Sequence, residues 1–304
     1  MIHVDQLTKR YGDHVAVRDV SFRCEPGTVT GFLGPNGAGK STTMRMLCGL
    51  TSPTAGRATV LGVPYRSLPS PGREIGVLLD ASAQHAGRTG REVLGLTAQL
   101  LGVDPGRAEA TLRRVGLDGK AGRRRVGDYS LGMRQRLGLA TALIGDPRIL
   151  VLDEPANGLD PEGIAWMRGL LREFADGGGT VLLSSHLLRE VEAVADRLVV
   201  ISGGRIVADG TKEELLRSTG VLVRSTDRTG LRRALAAAGL PSTTTTDGGQ
   251  LVEGDPEAIG RAALDAGLVL TELRPADGAG LEELFLSLTQ NGGQAADVPQ
   301  EVAA

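Results

Sequence analysis

Eight consecutive residues, Gly34-Pro35-Asn36-Gly37-Ala38-Gly39-Lys40-Ser41, match the pattern G-x-x-x-x-G-K-[ST]. The chemistry such a run can do is phosphate binding. Its glycines let backbone N–H groups converge on phosphate oxygens, and a helix opening at its end adds a partial positive charge. Lys40 would reach the outer phosphates, and the Ser41 hydroxyl would ligate Mg²⁺. The setting is the one the pattern requires. An apolar run at 28–34 reads as a strand leading in, and a helix is expected over 42–50. A plain glycine turn ahead of a helix is the duller alternative, and the presence of every fixed position weighs against it.

A second reactive group closes another apolar run. RILVLDEP at 148–155 reads as a short buried strand of a parallel sheet, ending in Asp153 and Glu154. On one sheet with a phosphate loop, Asp153 would hold Mg²⁺ directly or through water. Glu154 would then be left to orient or deprotonate an attacking water. An acidic pair that merely caps a helix is the alternative. His186 ends a third apolar run, TVLLSSH at 180–186. Strand ends in such sheets line the ligand crevice, so a contact with a terminal phosphate fits, although a lone histidine is more often structural. His3, His14 and His85 have no comparable setting. Ser130 precedes a helical pattern with apolar Leu131, Leu137, Ala140, Leu143 and Ile144. As an N-cap it is worth ~1 kcal/mol. Whether Ser130 and Gly132 also meet a phosphate depends on what surrounds them.

These residues need a scaffold. Residues 2–8 and 14–24 alternate apolar and polar, as half-buried strands do, and 57–65 reads as strand and turn. From about 83 to 146 the spacing is helical, with breaks at Gly102-Val103-Asp104-Pro105 and Gly116-Leu117-Asp118-Gly119. An amphipathic helix at 161–179 is stopped by glycines, another runs to about 195, and 197–210 reads as a hairpin. Strands alternating with helices predict an α/β fold. After about 218 the order becomes βαββαβ followed by a helix at 281–289, which fits a small α+β, split-βαβ sandwich. The expected domains are 1–217, with a helical subdomain at about 83–146, and 218–290. The polar tail at 291–304 is expected to be disordered.

A chain of 304 residues suits one large domain and a small one. Its net charge of -2 offers no basic field for nucleic acid, and Arg123-Arg124-Arg125, the clearest basic run, reads as a solvated loop. Cys24 and Cys48 read as buried thiols in a reducing compartment rather than as a disulfide. The start MIHVDQLTKRYG lacks a signal-peptide pattern. No apolar stretch approaches the ~18 residues a spanning helix needs. A cytoplasmic protein is expected, one that reaches a membrane through a partner.

Together, these motifs resemble the ATP-binding cassette family, the motor subunits of ABC transporters. The resemblance spans about residues 2–215. It implies a P-loop NTPase cassette of α/β class with an antiparallel β subdomain and a helical subdomain. It implies ATP as ligand and Mg²⁺ as cofactor, with Gly34 through Ser41, and Thr42 after them, around the phosphates. The family's usual signature is Leu-Ser-Gly-Gly-Gln, placed at a helix start, where it contacts the γ-phosphate held by the opposite subunit. Here Ser130 and Gly132 keep the hydroxyl and the close-approach glycine, while Tyr129, Leu131 and Met133 depart. Gln135-Arg136 fit the family's continuation. By the same resemblance Tyr11 stacks on adenine, Asp160 of Asn157-Gly158-Leu159-Asp160 belongs to the loop coupling the two sites, and His186 is the switch histidine. The family usually has a glutamine after the strand at 75–79, where this chain has Asp80, with Gln84 four residues on. Asp80 would still reach Mg²⁺ or water through an oxygen.

The resemblance implies partners too: a head-to-tail homodimer, or cassette dimer, when ATP is bound, and a separate polytopic permease at the inner face of the cell membrane. No nucleic acid is expected. The Tyr-Ser-Leu-Gly-Met signature and the small C-terminal domain look like the drug- and antibiotic-exporter branch, which includes the daunorubicin- and bacitracin-resistance ATPases. The alternatives are an importer motor, or a cassette ATPase acting on DNA or ribosomes. The latter usually carries two cassettes, a long coiled coil or a basic face. A GTPase would carry an Asn-Lys-x-Asp motif, and none occurs.

Overall fold

The computed structural model describes residues 1–185, 188–216, 220–245 and 247–275. The expected helix at 281–289 and the tail lie outside these residues. In chain order, β1 (Ile2–Tyr11), β2 (His14–Cys24) and β3 (Val29–Leu33) lead through the glycine loop into α1 (Lys40–Leu47). Then come β4 (Ala55–Val60), the one-turn α2 (Pro71–Glu74) and β5 (Ile75–Leu78). Four helices follow: α3 (Gly90–Leu101), α4 (Arg107–Arg114), α5 (Gly119–Arg123) and α6 (Leu131–Leu143). The chain returns as β6 (Ile149–Asp153), α7 (Pro161–Asp176), β7 (Thr180–Ser185), α8 (Leu188–Val194), β8 (Arg197–Ser202), β9 (Arg205–Thr211) and α9 (Lys212–Leu216). It ends as β10 (Val221–Ser225), α10 (Arg228–Ala237), β11 (Ser242–Thr244), β12 (Gln250–Val252), α11 (Pro256–Asp265) and β13 (Leu270–Pro275).

Among the described residues two compact units result, one over residues 1–212 and another over 213–275. In the first, a six-stranded sheet runs β5-β6-β7-β3-β8-β9, parallel except for the last pair. An antiparallel sheet of order β2-β1-β4 lies beside it. Ile2, Val4, Leu7 and Val17 from the small sheet share a core with Phe32, Met44, Leu47 and Val151. Phe22 and Phe32 stack across it with ring centroids 5.2 Å apart. Each such burial contributes roughly 1.5–3 kcal/mol before entropy. The four helices build their own core on Leu94, Leu112, Leu117, Leu137 and Ile144, and the Tyr129 hydroxyl is tied to the Ala121 carbonyl at 2.7 Å.

The strand β1 runs three residues beyond the alternation at 2–8. The reason is a bulge. Register slips between Asp5 and Thr8, Gln6 takes a φ of 48°, and the in–out pattern is rephased rather than ended. Likewise α1 opens at Lys40, ahead of the expected start, because its first turn is the polar end of the glycine loop.

The second unit is the split-βαβ arrangement: an antiparallel sheet of order β11-β12-β10-β13 with α10 and α11 on it. Val223, Leu231, Leu235, Val252 and Ile259 form its core. Asp255 accepts from the Glu257 N–H at 3.2 Å, and Pro256 sits at N1, the helix start read from the sequence.

Candidate functional site

All five residues of β3 are buried, so the strand delivers the chain rigidly to Gly34. Gly39 takes a φ of 109°, and a Cβ there would lie 2.6 Å from the Ala16 carbonyl oxygen. No other residue fits. The Lys40 ammonium donates to the Gly34 carbonyl at 2.6 Å and to that of Pro35 at 3.3 Å. Burial pushes its pKa below the ordinary value, and Glu154 and Asp153 pull it back up.

The loop opens on a cleft of about 410 Å³. Tyr11, Asn36, Gly37, Gly39, Lys40, Ser41 and Thr42 line it together with Asp153 and Glu154. Gly34, Pro35 and Ala38 form the back of the loop, outside that lining. Tyr11 is 51% exposed at the cleft, with the Lys9 ammonium 4.9 Å from its ring centroid. His14 and Ala16 also line the cleft, a role their own sequence setting did not signal. A larger hollow of about 490 Å³ between His3, Arg23 and Arg197 lacks any such convergence; there Arg197 pairs with Asp209.

The carboxylate pair is held tightly. The Ser184 hydroxyl donates to Asp153 Oδ1. The Glu154 N–H donates to Ser184 Oγ at 3.1 Å and to the Ser184 carbonyl at 3.2 Å. Glu154 itself sits at a φ of 51°, a left-handed conformation that costs a non-glycine residue free energy unless its surroundings impose it. Its carbonyl accepts from the Asn157 N–H at 3.1 Å and from Gln135 Nε2 at 2.8 Å. No motif in the sequence marks Ser184. Its signal is a buried hydroxyl directly after the apolar run Val181–Leu183.

The other expected residues lie elsewhere. Ser130 caps α6, its hydroxyl oxygen accepting from the Met133 N–H at 3.2 Å. A Cβ on Gly132 would lie 2.9 Å from the Gly158 carbonyl oxygen, and a Cβ on Gly158 would lie 2.3 Å from Leu131 Cδ2. Asp160 caps α7 by accepting from the Gly163 N–H at 2.8 Å. Ser130, Gly132 and Asp160 are absent from the lining of the cleft. So is Asp80, which accepts from the Ser82 hydroxyl at 2.6 Å and the Ser82 N–H at 2.7 Å. Those two bonds hold its carboxyl below the usual range, with Arg45 adding to them. Gln84 Oε1 is buried without a hydrogen-bond partner among the described residues. His186 lies outside the described residues. Among the described residues no helix is long and apolar enough to cross a membrane.

The cleft thus combines a lysine, a hydroxyl and two carboxylates with a glycine loop, a set suited to phosphoryl transfer to water. A family model described as ABC transporter matches residues 17–157, and one for a domain of unknown function matches 219–282. The chain is 39% identical to "Daunorubicin resistance ATP-binding protein DrrA3" of Streptomyces coeruleorubidus, over 95% of each chain. It is 39% identical to "Bacitracin transport ATP-binding protein BcrA" of Bacillus licheniformis over 69% of each. A solved ATP binding subunit of an ABC transporter superposes with a TM-score of 0.66 at 28% identity, covering 71% of this chain and 92% of that one. The dimeric cassette MJ0796 has the same fold, with a TM-score of 0.64 at 22% identity over 70% of this chain and 99% of that one.

Proposed function

The chain belongs to the ABC transporter family as an ATP-binding subunit, and from that premise we infer that it is the ATP-hydrolysing motor of a drug or antibiotic exporter. The observation that carries this is the convergence of Lys40, Ser41, Asp153 and Glu154 on one cleft with Tyr11 beside them. In our reading adenine stacks on Tyr11, and the triphosphate lies along 34–42. Ser41 and Asp153 offer a hydroxyl and a carboxylate, hard oxygen donors of the kind Mg²⁺ takes, and Asp80 would add a third through an oxygen. Mg²⁺ held there would neutralise charge on the β- and γ-phosphates. Glu154 then orients and deprotonates the attacking water, its backbone fixed by Ser184. We place His186 at the γ-phosphate on the family resemblance alone.

Beyond the caps that Ser130 and Asp160 supply to α6 and α7, Ser130, Gly132 and Asp160 meet a nucleotide only through a second copy. Two chains arranged head to tail bring the α6 start of one over the cleft of the other, so that each site is completed by its partner. ATP binding closes the pair and hydrolysis releases it. A separate permease converts that cycle into efflux at the inner face of the membrane. The relatives named for daunorubicin resistance and bacitracin transport support the cargo class.

A native pull-down from membranes tests this, using Glu154→Gln with ATP. Recovery of a polytopic membrane protein without cassette motifs is expected. Recovery of only soluble or nucleic-acid partners, from membranes shown to be intact, would overturn the exporter reading.

A further inference from the structure

Gln135 is an anomaly on α6. With Gly138, Leu139 and Ala142 it makes one buried face at helical spacing, and the other three carry no polar side-chain group. It is 4% exposed, and its Nε2 donates to the Glu154 carbonyl at 2.8 Å. That carbonyl already accepts from the Asn157 N–H at 3.1 Å. The amide is therefore not needed to rescue an orphaned acceptor. What it adds is direction, at the residue that holds a left-handed φ of 51° beside the cleft. An apolar side chain would fill the space without fixing that peptide.

The bond joins two functional segments of one chain. Gln135 lies on the second turn of α6, five residues from the Ser130 cap, which is ~7.5 Å along the axis. Next to it, the Arg136 guanidinium lies 4.5 Å from the Trp166 ring centroid, and its Nη1 donates to the Val115 carbonyl at 3.1 Å. These contacts hold α6 against α7 and the end of α4.

We propose that Gln135 is a positioning residue: its amide ties the α6 start, which reads one nucleotide, to the backbone of Glu154, which acts on the other. In the head-to-tail dimer, on which this second half of the inference rests, 130–132 meet the nucleotide in the partner's cleft. Glu154 faces the nucleotide in its own. A shift of α6 at one site is thereby passed to the catalytic carboxylate of the second, within a single chain.

Two variants test it. Gln135→Met keeps the volume and removes the donor. It should lower kcat about tenfold, the scale expected when a reacting group is slightly misplaced. KM for ATP and the melting temperature should stay near wild type, and the Hill coefficient for ATP should fall toward one. Gln135→Glu presents an acceptor to the carbonyl when ionised and a donor when protonated. Its kcat relative to wild type should rise as the pH is lowered from about 8 to about 6, where a buried carboxyl takes its proton. The positioning role is overturned if a folded Gln135→Met turns over within about twofold of wild type, or if the Gln135→Glu profile runs parallel to wild type. Should Gln135→Met fail to fold, the Gln135→Glu profile decides. The dimer is read separately, by ATP-dependent association of Glu154→Gln. If that association is missing, the head-to-tail reading and the coupling fall together, while the kcat arms still decide whether Gln135 positions Glu154.

Discussion

The Lys40 ammonium donates to the carbonyl of Gly34, 2.6 Å away, so the loop is closed by the side chain at its far end on the residue at its near end. The charge is partly desolvated, which lowers its pKa, and two carboxylates share its cleft. A triphosphate offers that ammonium far more than two carbonyl dipoles. Lys40→Ala should therefore weaken ATP binding by about 10- to 100-fold, the worth of a charged hydrogen bond of roughly 1.5–3 kcal/mol, and abolish hydrolysis. Titration with a fluorescent ATP analogue and a phosphate-release assay read the two effects. Wild-type turnover in that variant would remove the loop from the mechanism.

Ser130 has one role in view and one inferred, and they can be separated. Ser130→Ala removes both hydroxyl functions, at ~1 kcal/mol of stability for the cap. Ser130→Asp keeps an oxygen that can accept from the Met133 N–H, and its charge suits a helix N-terminus. It also sets an anion where the partner's γ-phosphate would arrive. Ser130→Asp should thus melt at or above wild type yet neither dimerise with ATP nor hydrolyse it. If it hydrolyses ATP normally, Ser130 is a helix cap and nothing else.

The residues legible along the chain are those whose meaning is local. The glycine–lysine–serine spacing and the acidic pair after an apolar run need only their neighbours to be understood, and the Asp255-Pro256 start of α11 is of the same kind. What stayed hidden depends on segments far apart in sequence. Gln135 reaches across to Glu154, and Ser184 joins Asp153 to Glu154 from the neighbouring strand. No spacing rule connects these. The end of β1 was obscured for another reason. The bulge at Gln6 breaks the period of two on which the reading of a strand rests.

The two thiols give a pH prediction. Burial pushes Cys24 and Cys48 each up to about 12. Both folded-state values lie above those of the unfolded chain, so folding favours the protonated thiols. Their contribution is complete below the unfolded value of about 8.5 and is lost as pH rises from there toward about 12. Alkaline unfolding should set in within that range, and replacing both by Ala or Val should blunt it. At neutral pH neither thiol should react with iodoacetamide until the chain is denatured. Rapid labelling of the native protein would contradict the burial of these two residues.

Asp80 stands where the family usually has glutamine, and its carboxylate is engaged by Ser82 through both an N–H and a hydroxyl. Those bonds keep it ionised well into acid, because its carboxyl is held below the usual range. Two readings follow: a turn-former, or an oxygen donor to Mg²⁺. Asp80→Asn distinguishes them. The amide oxygen can still accept from Ser82, so the turn survives, but the negative charge is gone. As a turn-former, Asp80 would be replaced without consequence. As a ligand to Mg²⁺, directly or through water, its loss should raise the Mg²⁺ concentration for half-maximal hydrolysis several-fold while leaving the saturated rate close to wild type, since a lost charge weakens the hold on a divalent cation more than it alters the reaction of ATP once Mg²⁺ is bound. Magnesium titrations of the two proteins at saturating ATP supply the comparison. Superimposable curves would assign Asp80 to the turn alone and leave Ser41 and Asp153 as the metal-binding pair.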